Sequence, residues 1–110
     1  MLCTGRMRVQ QARYFLLVCE ELSFSRAARR CQVGQPSLSK AIRALEGELG
    51  GALFRRKPSV ELSELGHAVR PHLQRMVWAD GAARAVASRL AASRAPDAAE
   101  PGFSAGEGGA

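Results

Sequence analysis

Between Gln35 and Arg43 the sequence sets six groups that can bond or contact a nucleotide: Gln35, Pro36, Ser37, Ser39, Lys40 and Arg43. A glutamine amide can engage an adenine edge with two bonds, and a lysine can reach guanine O6 and N7. A proline ring offers an apolar surface to a thymine methyl, and the two serines are short enough for phosphates or bases. A second basic group, Arg55-Arg56-Lys57, follows shortly after. From Ser25 to Lys57 eight basic residues are opposed only by Glu46 and Glu48. Such a segment inside a folded domain points to an anionic partner, most commonly nucleic acid. On charge alone, a merely solvated basic face is an equal competitor.

Other chemistries find little support. The serines have no His/Asp partners at catalytic spacing, and no Gly-rich phosphate loop follows a strand, so no enzyme is expected. Cys3, Cys19 and Cys31 form no C-x-x-C pair, and His67 and His72 complete no metal spacing, so neither metal nor cofactor is expected. Cys19 and Cys31 fall on helix faces expected to be buried, where cysteine is a small apolar residue. Aromatic residues make up only 5% of the chain, too few for a platform on which single-stranded bases stack. The longest strongly apolar run, Phe15 to Cys19, is far short of the ~20 residues that span a bilayer. It lies between Arg13 and Glu20-Glu21 without a cleavage site, which reads as a cytoplasmic chain without membrane contact.

These side chains need elements to hold them. The 110 residues suit one small domain with a net charge of +6. Residues 94–110 carry one Arg against Asp97, Glu100 and Glu107, a net of −2, which leaves +8 for residues 1–93. The tail is rich in Ala, Gly, Pro and Glu and is expected to be disordered; residues 1–7 are expected to be loose. Arg8 to Glu21 places Ala12, Phe15, Leu16, Cys19 and Leu22 at helical spacing. Ser25 is a good cap for a short second helix over Arg26–Cys31, with the arginines toward solvent and a turn at Gln32-Val33-Gly34 in which Gly34 supplies the freedom. A third helix opens at Gln35-Pro36-Ser37, with Pro36 at the first helical position, and ends at Gly50-Gly51. Leu38, Ile42, Leu45 and Leu49 form its apolar back, opposite Pro36, Ser39, Lys40, Arg43 and Gly47. Leu53–Arg56 and Val60–Leu62 read as the arms of a short hairpin with a basic tip.

Ser63 then caps a long helix to about Ser93. Leu65, Val69, His72, Met76, Ala79, Ala83, Val86 and Leu90 follow a heptad spacing, which points to pairing with a second copy; an intramolecular core stripe is the competing reading. Pro71 is expected to kink this helix. Trp78, beside the seam, is expected to pack at a dimer or domain junction. The fold class is therefore mainly α: three helices and a hairpin over residues 8–62, then a linker helix over 63–93.

The stretches Leu22-Ser23-Phe24-Ser25-Arg26-Ala27-Ala28, Gln35-Pro36-Ser37-Leu38-Ser39-Lys40, Glu48-Leu49-Gly50, Leu53-Phe54-Arg55-Arg56 and Leu62-Ser63-Glu64-Leu65-Gly66 occur in this order. In combination they resemble the N-terminal DNA-binding domain of LysR-type transcriptional regulators, over about residues 8–90. The resemblance implies a winged helix-turn-helix acting on double-stranded DNA as a homodimer through the linker helix. It places base contacts at Gln35, Pro36, Ser39 and Lys40 and backbone contacts at Arg43, Arg55 and Arg56, to which Ser37 is added on its chemistry. Gly34 stands where the family usually carries a serine cap, and Pro58-Ser59 where a wing base is common. The family's α/β inducer-binding domain has no counterpart here, so no inducer site is expected. A competing reading is an interaction protein that heterodimerises with a full-length relative, or a fragment of such a regulator.

Overall fold

The computed structural model describes residues 7–93; residues 1–6, including Cys3, and the tail 94–110 lie outside the described residues. The chain divides into two units, Met1–Trp78 and Ala79–Ala110. Six elements follow one another: α1 (Val9–Glu21), α2 (Phe24–Cys31), α3 (Gln35–Leu49), β1 (Phe54–Arg55), β2 (Glu61–Leu62) and α4 (Glu64–Ser93). This is a winged helix-turn-helix followed by a long C-terminal helix.

In the first unit the three short helices pack around Ala12, Phe15 and Val18 of α1, Phe24, Ala27 and Ala28 of α2, and Leu38, Ile42 and Leu45 of α3. Fully burying a side chain such as Phe15 stabilises by about 1.5–3 kcal/mol, and the three-to-four-residue spacing within each helix turns these residues to one side. Leu22, expected on the apolar face of α1, is instead the helix's left-handed cap (φ 49°) and is 47% exposed; Val18 fills the core in its place.

The second helix begins earlier than the sequence suggests. Ser23, not Ser25, accepts the Arg26 N–H at 3.1 Å, so Phe24 joins the helix and the core. The following turn also differs. Gly34 has an ordinary φ of −72°, and the left-handed residue is Gln32 at φ 60°. Its N–H donates to Arg29 O and that of Val33 to Ala28 O, both at 3.1 Å, which closes the helix in a conformation that costs a non-glycine residue about 1–2 kcal/mol.

The hairpin arms are shorter than expected, with β1 and β2 pairing antiparallel as Phe54 opposite Leu62 and Arg55 opposite Glu61. Two-residue strands are marginal alone, so the hairpin depends on what it rests against. Phe54 turns inward, 5.4 Å from the Phe15 ring and 5.7 Å edge-on to Phe24, while Arg55 turns out.

Ser63 caps α4 as expected: its Oγ accepts the Gly66 N–H at 3.0 Å and donates to Ala52 O at 2.7 Å. The helix is continuous through Pro71. Leu65, Val69 and Met76 pack on the core of their own chain, and Leu73, outside the heptad spacing, is buried among them. His72 is exposed, with its Nδ1 3.2 Å from Arg75 Nη1. Trp78 does not pack into this domain; it is 73% exposed.

In the second unit, residues 79–93 are helical. Ala79, Ala83, Val86 and Leu90 are all exposed, and Arg84 bonds Asp80 at 3.0 Å one turn away. Among the described residues no helix is long and apolar enough to cross a membrane.

Candidate nucleic-acid interface

The interface is built on α3. Its back is fixed because Leu38, Ile42 and Leu45 are completely buried, and this orients the opposite face outward. On that face Gln35, Pro36, Ser37, Lys40 and Arg43 are exposed and Ser39 is half-buried. Among the described residues neither Lys40 nor Arg43 enters an ion pair. Their charge is therefore available to an external anion.

The start of α3 is tighter than an open helix end. Ser37 N–H and Leu38 N–H both donate to Gly34 O, at 3.1 and 3.2 Å, and Pro36 has no N–H. Among the described residues, Gln35 N–H is thus the first-turn donor left for a ligand oxygen. Gly34 makes no side-chain cap bond.

The basic charge of α2 is largely answered inside the domain. Arg26 bonds Glu21 at 3.2 Å, and Arg30 bonds Glu20 at 2.7 Å and Glu21 at 3.1 Å. Hydrogen bonding to Glu20, then to Glu21, raises the Arg30 guanidinium above its usual range. All three arginines of α2 face solvent as expected, and acidic residues at the end of α1 pair with two of them, Arg26 and Arg30. The net positive face narrows to α3 and the wing.

Both wing arginines are exposed, but they differ. Arg55 pairs with Glu61 across the hairpin and keeps 67% of its side chain in solvent. Arg56 lies with Cζ 4.4 Å from the centre of the Phe24 ring and Nη2 3.9 Å from Glu46 Oε2. Glu46 itself accepts the Leu53 N–H at 2.8 Å, tying the end of α3 to the wing. Sequence reasoning treated Glu46 only as an opposing charge. Its spacing of seven residues from Leu53 carries no periodic signal, so nothing in the pattern marked it.

Cys19 is buried and Cys31 half-buried, and desolvation raises both thiols, Cys19 to about 11. Among the described residues no three His, Cys, Asp or Glu side chains converge as a metal site.

Residues 9–67 match the family described as bacterial regulatory helix-turn-helix protein, lysR family. The chain belongs to the LysR family. Its LysR-type domain is 45% identical over 85 residues to the HTH-type transcriptional regulator IlvR of Caulobacter vibrioides, covering 76% of this chain and 29% of that protein. Over 86 residues it is 38% identical to the regulator AlsR of Bacillus subtilis, covering 77% and 28%. The LysR-type chain thus spans less than a third of the length of these relatives. They are transcriptional regulators, not enzymes.

Solved structures agree. The BenM DNA-binding domain bound to catB site 1 DNA matches with a TM-score of 0.72 and 32% identity, over 77% of this chain and 97% of that one. Vibrio fischeri DarR in complex with DNA matches with a TM-score of 0.73 and 30% identity, over 78% and 30%. The described fold is therefore a LysR-type DNA-binding domain.

Proposed function

We propose that this LysR-type domain reads a specific double-stranded DNA sequence, with α3 in the major groove and the wing beside the neighbouring backbone. Gln35, Pro36, Ser39 and Lys40 meet base edges, while Ser37, Arg43 and the basic wing add backbone affinity. The observation that carries the reading is the outward face of α3, where Lys40 and Arg43, in no ion pair among the described residues, stand opposite a fully buried Leu38-Ile42-Leu45 back.

The site is an inverted repeat read by a homodimer. Support comes from the exposed half of the heptad seam: Ala79, Ala83, Val86 and Leu90 have apolar side chains in solvent, with Trp78 beside them. Leu65, Val69 and Met76 already serve their own core, and His72 is exposed, so pairing falls to the C-terminal half.

The division of roles on α3 is tested by titrating Lys40→Ala and Arg43→Ala against a specific and a random duplex over a salt series. Lys40→Ala relaxes discrimination at one base position by about 1–3 kcal/mol. Arg43→Ala weakens both duplexes equally and lowers the salt slope by about one. Equal losses on both duplexes for Lys40→Ala would overturn the assignment.

A further inference from the structure

The wing's two-residue strands cannot fix their own angle to α3. Three contacts outside the ladder do so: Phe54 in the core, the Glu46 bond to Leu53 N–H, and Arg56 laid over Phe24. Glu46 Oε2 serves two of them, accepting from Leu53 at 2.8 Å and facing Arg56 Nη2 at 3.9 Å. Its side chain is only 16% exposed, so this oxygen is partly shielded from water. The Arg56 side chain is 40% exposed against 67% for Arg55, and its guanidinium carbon lies over an aromatic ring.

We propose that Glu46 and Arg56 are positioning residues for DNA binding: together they set the wing against α3, and Arg55, not Arg56, supplies the wing's phosphate contact. The proposal rests on the reading of α3 and the wing as the DNA face. Arg55 is bound across the strand only by an exposed pair, which is weak and exchangeable for a phosphate. Arg56 would have to leave both Phe24 and Glu46 to do the same.

Charge alone and the strut give opposite signs. Removing an acidic charge beside a polyanion tightens binding if electrostatics decides, and loosens it if Glu46 holds the wing. Glu46→Gln keeps an acceptor for Leu53 N–H, so folding is preserved and can be checked by thermal unfolding. The full chain and its Glu46→Gln, Arg56→Gln, Arg56→Lys, double Glu46→Gln/Arg56→Gln and Arg55→Gln variants are titrated against a random-sequence duplex over a salt series.

The expected result is a loss of about two- to tenfold for Glu46→Gln, a similar loss for Arg56→Gln, and a double variant no weaker than either single one. Arg56→Gln leaves the salt slope unchanged, Arg56→Lys fails to restore affinity, and Arg55→Gln lowers the slope by about one. Tighter binding by Glu46→Gln, or a slope lowered by one in Arg56→Gln and restored by Arg56→Lys, would overturn it. If Arg55→Gln and Arg43→Ala also leave the slope unmoved, the DNA face itself is misplaced, and the proposal falls with it.

Discussion

Gly66, in the first turn of α4, rests directly on Leu53: a Cβ at Gly66 would stand 2.4 Å from the Leu53 carbonyl oxygen. The same carbonyl accepts the Ser63 N–H at 2.9 Å. The approach seats the start of α4 on the residue that enters the wing. Leu53 N–H is held by Glu46 of α3, so one residue joins recognition helix, wing and linker helix.

Replacing Gly66 by alanine therefore destabilises, against the usual rule for a helix interior. Alanine normally gains up to about 1 kcal/mol over glycine in a helix. Here the added methyl meets Leu53 O and, at 2.7 Å, Leu62 Cδ1, and such overpacking costs about 1–3 kcal/mol. Thermal unfolding should show Gly66→Ala melting lower by about 4–8 °C per kcal/mol lost. Gly47→Ala, where a Cβ meets nothing within 4 Å, should melt higher. A rise in both would remove the packing argument.

Ser63→Ala should lower stability by about 1–2 kcal/mol, at the upper end for a helix cap. The hydroxyl both accepts from Gly66 N–H and donates to Ala52 O, so the change leaves two backbone groups without partners. Denaturant unfolding measures the loss. Threonine at this position should recover most of it, and a neutral alanine variant would mean that water replaces both bonds.

Much of this architecture was legible in the chain. The buried Leu38-Ile42-Leu45 stripe, Pro36 in the first turn of α3 and left-handed Gly50 after it all follow from local rules. What escaped was tertiary or doubly encoded. Ser23 and Ser25 are both plausible caps, and burial of Phe24 decides between them. The pairing of Arg30 with Glu20 spans ten residues and two helices, which no periodicity reports. A heptad spacing likewise says that a face is apolar but not whose core covers it, and Leu65, Val69 and Met76 are covered by their own. For the interface, α3 was readable by residue type, whereas the Glu46–Arg56–Phe24 contacts depend on how the wing folds back.

Cys19 makes stability fall at high pH. Burial pushes its thiol from 9.0 up to about 11, with Arg70 opposing and Glu20 adding to the effect. An unfolded chain releases this proton near the ordinary value, so between about 9 and 11 the folded state binds more protons and loses stability as pH rises; below that window nothing changes. Denaturant unfolding at intervals across the window should show a steeper decline for the native chain than for Cys19→Ala. Parallel declines would count against burial of the thiol.

The double variant Val86→Glu/Leu90→Glu should abolish pairing. Both residues are exposed in the single chain, 46% and 58%, so the change disrupts no core of its own. Sedimentation should give a single-chain mass, and affinity for an inverted repeat should fall by about tenfold or more while half-site binding persists. A native chain that sediments as a single copy, or a variant mass equal to that of the native chain, would contradict pairing through this face.

The most direct test of sequence-specific reading by α3 is selection of bound DNA from a random duplex pool by the full chain at about 150 mM salt, where nonspecific contacts are weak. The account predicts enrichment of an inverted repeat, with half-sites spaced by about one helical turn or a multiple of it, and loss of preference at one position in each half-site for Lys40→Ala. Binding that survives only at low salt and enriches no sequence would contradict it.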